Sequence, residues 1–291
     1  MADILSGAPV VAALGELMKA DVEVLKGSGV VPSLCILRVG ERPDDISYEK
    51  NAGKRCESVG INVKNIVLPE DVSQDVLLER INMLNNDKTV HGVLLFRPLP
   101  SHLNERVVCE TLCSEKDIDC ITLKSLADVF TGNNETFNPC TAQAVLEILD
   151  FYGIDCSGKN VVVIGRSLVV GKPLSIMLLS RNATVTICHT RTKDLSAISS
   201  NADIVIAATG QPEGLTKEYF NPGQVVIDVG INWNDSTGKL CGDVKFNEVE
   251  PIVAAISPVP GGVGTVTTSV LASNVIKAAK KQHNHLGLVC Q

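Results

Sequence analysis

The stretch Val161-Val162-Val163-Ile164-Gly165-Arg166-Ser167-Leu168-Val169-Val170-Gly171-Lys172-Pro173 constrains the fold of this chain more than any other. Its four consecutive β-branched residues suit a parallel strand covered on both faces, and Gly165 ends the run where the backbone must turn sharply. A helix then starts near Gly171. Pro173 falls in its first turn, where a missing N–H costs nothing, and the free N–H groups of that turn can face a phosphate. The outline is that of a dinucleotide site. Gly165 and Gly171 stand six apart, without the middle glycine of G-x-G-x-x-G, so on spacing alone a plain strand-turn-helix fits as well.

The rest of the pattern alternates helix with strand. Apolar residues recur at helical spacing from Leu5 to Lys26, and Pro32 to Val39 reads as a strand. Helices near 46–59, 73–86 and 104–112 are interleaved with strands at Val63–Leu68 and Val90–Phe96. After a helix near Thr141–Tyr152, the polar segment Ile154–Lys159 leads into strands at 160–164, 184–188, 203–207 and 224–229. A last helix runs from about Val266 to Lys281, and the tail Gln282–Gln291 is expected to fray. The fold class is therefore α/β, with two α/β domains and a Rossmann-type parallel sheet in the second. A chain of 291 residues suits two domains. The expected boundaries are 1–145 plus 266–291 for the first and 146–265 for the second.

A net charge of −7 argues against a general nucleic-acid or anionic-membrane binder. The N-terminus lacks a basic, then apolar, leader pattern, and no apolar stretch approaches the ~20 residues that span a bilayer, so a cytoplasmic protein is expected. Ten cysteines are scattered without a C-x-x-C pair. They read as small buried hydrophobes in a reducing compartment, with no metal or disulfide framework.

At the end of the second strand of a Rossmann unit, an Asp or Glu would bind the ribose 2′-OH of NAD. Here the sequence is Thr186-Ile187-Cys188-His189-Thr190-Arg191-Thr192, with no carboxylate. Arg191, with Thr190 and His189, offers donors to a 2′-phosphate, and Arg166 adds a second cation, which points to NADP. A solvated loop charge is the plainer reading of Arg191. Two further strands end in small residues, at Ala208-Thr209-Gly210 and at Val229-Gly230-Ile231-Asn232, where backbone can approach a ligand closely.

Gly165–Pro173, Thr184–Thr192, Gly230-Ile231-Asn232, Gly242-Asp243-Val244 and Ser257–Thr267 coincide in order and spacing with one family. So do Pro98-Leu99-Pro100, Glu115–Asp119 and Pro139-Cys140-Thr141. Together they resemble the methylenetetrahydrofolate dehydrogenase/cyclohydrolase (FolD-type) family nearly end to end. The resemblance implies a folate domain, an NADP domain, a cleft between them and a homodimer. It implies hydride transfer from 5,10-methylenetetrahydrofolate to NADP, followed in many members by hydrolysis of the methenyl product to 10-formyltetrahydrofolate. Carried over by motif, Tyr48 would stack on the folate and Asp119 would hydrogen-bond its pterin, as the two catalytic residues. Pro98, Leu99, Pro258, Gly262 and Val263 would line the folate pocket. Gly165, Arg166, Ser167, Gly171, His189, Thr190, Arg191, Thr209, Gly210, Gly230 and Ile231 would hold NADP.

One departure bears on the chemistry. In the family pattern the tyrosine is followed four residues later by the active-site lysine, and that position is Ala52 here. The separation from Tyr48 to Gly60-Ile61 is kept, so no gap explains it. The lysine's partner is the glutamine of Q-L-P-L-P, and Phe96 stands in its place before Arg97-Pro98-Leu99-Pro100. Removing one member of a buried hydrogen-bonded pair costs roughly 1–3 kcal/mol, whereas replacing both by apolar groups can be nearly neutral. Lys50 and Lys54 flank Ala52 by two residues each, well around the helix from it. Hydride transfer is mainly a positioning problem, and methenyl hydrolysis needs a base or proton relay. The expectation is a dehydrogenase whose cyclohydrolase activity is weak or absent. The alternatives are a fully bifunctional enzyme using Asp119 with Arg97 or Lys54, another two-domain NADP dehydrogenase, or a non-catalytic nucleotide-binding homologue.

Overall fold

The computed structural model describes residues 1–133 and 135–289, with side chains described as far as residue 284. In chain order the elements are β1 (Asp3–Ile4), α1 (Gly7–Gly27), β2 (Ser33–Val39), α2 (Pro43–Ser58), β3 (Asn62–Leu68) and α3 (Gln74–Asn86). Then come β4 (Gly92–Leu95), α4 (Glu105–Thr111), α5 (Leu123–Thr131), α6 (Cys140–Phe151), β5 (Asn160–Ile164), α7 (Gly171–Leu179) and β6 (Thr184–Cys188). The remainder is α8 (Leu195–Ser200), β7 (Ile204–Ala207), β8 (Val225–Asp228), β9 (Asn232–Asn234), β10 (Lys239–Cys241), α9 (Phe246–Val249), β11 (Ala255–Ile256) and α10 (Val263–Val289). Among the described residues no helix is long and apolar enough to cross a membrane.

The chain divides into two units. One comprises Met1–Ala12 and Thr141–Thr267 and is built on a six-stranded sheet of order β1-β11-β8-β7-β5-β6. Every pairing in it is parallel. Val161–Ile164 is buried throughout because β5 is an interior strand, hydrogen-bonded to β6 and to β7. β6 is largely exposed, with only Cys188 buried, because it lies at the sheet edge. Chain order reverses across β5: the chain passes from β5 to β6 on one side and returns to β7 on the other. Ligands of open parallel sheets collect at the carboxyl ends of strands at such a switch point.

The other unit comprises Ala13–Cys140 and the chain from Thr268. Its sheet, of order β3-β2-β4, is also parallel, and the central Leu34–Leu37 are fully buried. The cluster that includes Leu37, Leu77, Ile81, Leu95 and Val108 forms its core. Gly92 has Ile118 and Val275 so close that a Cβ there would collide with the isoleucine.

Three details correct the sequence reading. Residues 1–12, expected with the first domain, cluster with the six-stranded sheet through pairing of Asp3–Ile4 with Ala255–Ile256. A helix from Leu123 to Thr131 was not foreseen, although Thr122 caps its start through Ser125 N–H and left-handed Gly132 ends it. The tail does not fray at Gln282. α10 runs on to Val289, and the Gln282 amide donates to the His91 and Glu115 carbonyls. Cys290 and Gln291 lie outside the described residues.

Candidate active site

The Gly165 turn explains the unusual glycine spacing. Gly165 has φ +142°, a conformation that side chains disfavour, and a Cβ there would collide with the Ala208 carbonyl at the end of β7. A Cβ on Gly171 would collide with the Gly165 carbonyl, so the turn folds back upon itself and the two glycines pack together. Ser167 closes the turn: its Oγ accepts from Val170 N–H at 3.1 Å and its carbonyl from Lys172 N–H at 3.0 Å. α7 therefore starts at Gly171, with Lys172 N–H taken by the turn and Pro173 placed where a missing N–H costs little.

The adjacent strand end lies beside this turn, since Gly165 N–H donates to the Cys188 carbonyl. Its loop is shaped by its own side chains: Thr192 Oγ1 accepts from His189 N–H at 2.9 Å, and His189 Nδ1 accepts from Arg191 N–H at 3.2 Å. Arg166, Thr190 and Arg191 are exposed and His189 is half-buried. On the far side of β5, Thr209 and Gly210 donate their N–H groups to Asp243. Gly230 is buried, and Ile231 is exposed with its side chain over Gly264.

A pocket of about 90 Å³ in the same unit is lined by Pro258, Gly262 and Val263 together with Asp228, Gly230 and Ile231. Three residues expected to line the folate pocket thus share a wall with two expected to hold the cofactor. Tyr48, Pro98, Leu99 and Asp119 belong to the other unit.

In that unit Tyr48 stands on α2, half-buried, and Phe96 follows β4. The two rings meet edge to face, with centroids 5.8 Å apart and planes at 81°. Ala52, one helical turn after Tyr48, is 0% exposed and Phe96 9%. The positions of the family's lysine and glutamine are therefore both buried and apolar. Lys50 and Lys54 are exposed on other faces of α2. Arg97 pairs with Glu105 at 3.5 Å, and the same carboxylate accepts Leu99 N–H at 2.9 Å, which anchors the Pro98–Pro100 segment.

Asp119 is held from two sides. Asp117 accepts N–H groups of Ile121 and Thr122 at 2.9 and 2.8 Å, closing a turn in which Cys120 adopts φ +58°, uncommon for a residue with a side chain. Cys140 N–H, at the start of α6, donates to Asp119 Oδ1 at 3.2 Å. Asp119 thus caps a helix and remains the candidate pterin ligand. Asn274 braces the arrangement, donating to the Ile118 carbonyl at 2.9 Å. Burial pushes the Asp119 carboxyl above its ordinary range. Burial, reinforced by the charge of Asp119, pushes the Tyr48 phenol up as well.

Residues 5–119 match the tetrahydrofolate dehydrogenase/cyclohydrolase catalytic domain, and residues 139–283 match the NAD(P)-binding domain of the same family. This chain belongs to the tetrahydrofolate dehydrogenase/cyclohydrolase family. The bifunctional protein FolD of Carboxydothermus hydrogenoformans is 50% identical over 281 residues, covering 96% of this chain and 98% of that one. The crystal structure of the Campylobacter jejuni FolD dehydrogenase/cyclohydrolase superposes with a TM-score of 0.94 at 39% identity, covering 97% and 99% of the two chains. That of Trypanosoma brucei FolD, complexed with NADP and an inhibitor, gives 0.91 at 33% identity over 96% and 98%.

Within this family member, sequence reasoning missed five anchoring side chains. Asp228 and Asp243 hold the strand-end loops described above. Asn274 braces Ile118 from α10. Arg38 donates to Glu49 at 2.7 Å, and Glu49 also accepts from Asn65, which ties the helix bearing Tyr48 to β2 and β3. Of these only Asp243 stood in a segment shared with the family, Gly242-Asp243-Val244.

Proposed function

We propose that this protein oxidises 5,10-methylenetetrahydrofolate to 5,10-methenyltetrahydrofolate with NADP, and releases the methenyl product with little or no hydrolysis. The observation that carries the second half is the buried apolar pair: Ala52 at 0% exposure and Phe96 seated edge-on against Tyr48. Neither can hold a water or move a proton, which hydrolysis of the methenyl cation demands. The exposure of Lys54 and the engagement of Arg97 with Glu105 weigh against a substitute cation.

The cofactor fits the chain. Gly165 and Gly171 let the turn pack against Ala208 and back upon itself, so that α7 begins directly after the strand end, as at a dinucleotide site. Arg191 and Arg166 stand exposed at neighbouring strand ends, suited to a 2′-phosphate, and the Trypanosoma brucei relative was crystallised with NADP. NADP supplies the hydride acceptor. Tyr48 offers its face to the flat folate, while Asp119, held by Cys140, reads the N–H groups of the pterin edge. In the other unit Pro258 and Gly262 form a stiff, side-chain-poor turn of the kind that backbone uses to approach a flat ring.

The proposal includes a cytoplasmic homodimer, with exposed Trp233 and Leu240, register partners in the β9–β10 hairpin, as apolar surface available to it. Sedimentation of wild type and Trp233→Glu tests that part. Reduction of NADP dependent on methylenetetrahydrofolate, with methenyl product formed in equal amount, tests the reaction. Formyl product appearing in step with NADPH would overturn the loss of hydrolysis. Absence of NADP reduction would overturn the dehydrogenase.

A further inference from the structure

Two buried carboxylates join the strand-end loops of the six-stranded unit. Asp228, the last residue of β8, accepts N–H groups from Gly230 at 2.9 Å, Asp243 at 3.0 Å and Val244 at 2.8 Å. Its own N–H donates to Ser257 Oγ at 2.8 Å, just before the Pro258–Gly262 turn. Asp243 accepts from Thr209 N–H, from Gly210 N–H at 3.1 Å and from Asn232 Nδ2 at 2.8 Å. Glycine is required on both sides of this arrangement. A Cβ on Gly230 would collide with the Asp243 carboxylate, and one on Gly242 with that of Asp228.

We propose that Asp243 and Asp228 are positioning residues for the dinucleotide: Asp243 ties the loop after β7 to the loop after β8, and Asp228 holds Asp243 in place. The inference rests on the assignment of Thr209, Gly210, Gly230 and Ile231 to NADP. Burying two neighbouring carboxylates is costly, and apolar packing closes a core more cheaply. Here their acceptor sites are filled by N–H groups of segments outside the sheet ladder, so the loops that line the ligand-binding end of the sheet are fixed by these hydrogen bonds. Substituting Asp243 leaves Thr209 and Gly210 free to move independently of Gly230, while Tyr48 and Asp119 keep their own anchors.

The test is steady-state kinetics with both substrates on Asp243→Asn and on the milder Asn232→Ala, alongside melting curves. Asp243→Asn should raise KM for NADP about tenfold or more, and Asn232→Ala about threefold, from the loss of charge-assisted and neutral hydrogen bonds respectively. KM for methylenetetrahydrofolate should stay within about twofold, and kcat at saturating NADP should be retained, a split that mere destabilisation does not produce. If Asp243→Asn does not fold, Asn232→Ala decides alone. Folded variants with unchanged KM for NADP, or with both KM values and kcat altered together, would overturn the positioning role. An Arg191→Ala enzyme with unchanged NADP affinity would instead strike at the cofactor assignment on which the inference rests.

Discussion

Phe96 packs edge to face on Tyr48, 5.8 Å between ring centroids, where the family pattern places a glutamine. The contact fixes the tyrosine ring by aromatic geometry and removes a polar group from its surroundings. With Ala52 buried one turn along α2, the wall beside Tyr48 is apolar and well packed.

Restoring the polar pair should restore hydrolysis only when both members return. Ala52→Lys alone buries an unpaired ammonium and should cost about 3 kcal/mol of stability. Ala52→Lys with Phe96→Gln should recover much of that loss and gain methenyl hydrolysis. Melting temperatures and product analysis of the two variants check it. Phe96→Ala leaves a cavity, with an expected cost of about 3 kcal/mol and a raised KM for the folate.

Arg191→Ala should raise KM for NADP by about tenfold or more and leave that for NAD within about twofold, since only the 2′-phosphate loses a charge-assisted partner. The ratio of kcat/KM for the two cofactors is the measurement. Equal effects on both would remove Arg191 from 2′-phosphate recognition.

Gly165→Ala should abolish cofactor binding and destabilise the fold by several kcal/mol. The residue combines a left-handed φ with backbone contact to Ala208, so neither rotation nor a side-chain shift relieves the clash. Chemical denaturation and NADP titration read both effects. A stable, NADP-binding Gly165→Ala protein would contradict the packing described for the turn.

Burial pushes the Asp228 carboxyl up to about 7, against an ordinary value near 4. A folded-state value above the unfolded one means that the folded protein holds the proton more tightly. The stabilisation is full below about 4 and is lost as pH rises through about 7. Wild type should therefore gain melting temperature relative to Asp228→Asn as pH falls from about 8 to about 5. A difference independent of pH would contradict this protonation.

The interior strands were legible because burial on both faces writes itself as a continuous β-branched run, as in Val161–Ile164. β1 was not, since two residues carry no periodicity and Asp3–Ile4 becomes a strand only by pairing with Ala255–Ile256. α10 begins at Val263, three residues before the expected start, because Gly264 inside its first turn weakens the local signal. α5 is marked in the sequence only by its ends, the capping Thr122 and the left-handed Gly132. At the site, the glycines and Arg191 were visible through chemistry tied to local sequence. Asp228 was not, because its partners Asp243 and Val244 are brought to it only by the fold.

The most direct measurement follows purified 5,10-methenyltetrahydrofolate by its absorbance at increasing enzyme concentration, without NADP. The expected result is a decay rate that stays at the buffer value whatever the amount of enzyme. A rate rising in proportion to enzyme, with 10-formyltetrahydrofolate as product, would contradict the claim that burying Ala52 and Phe96 has removed the second reaction.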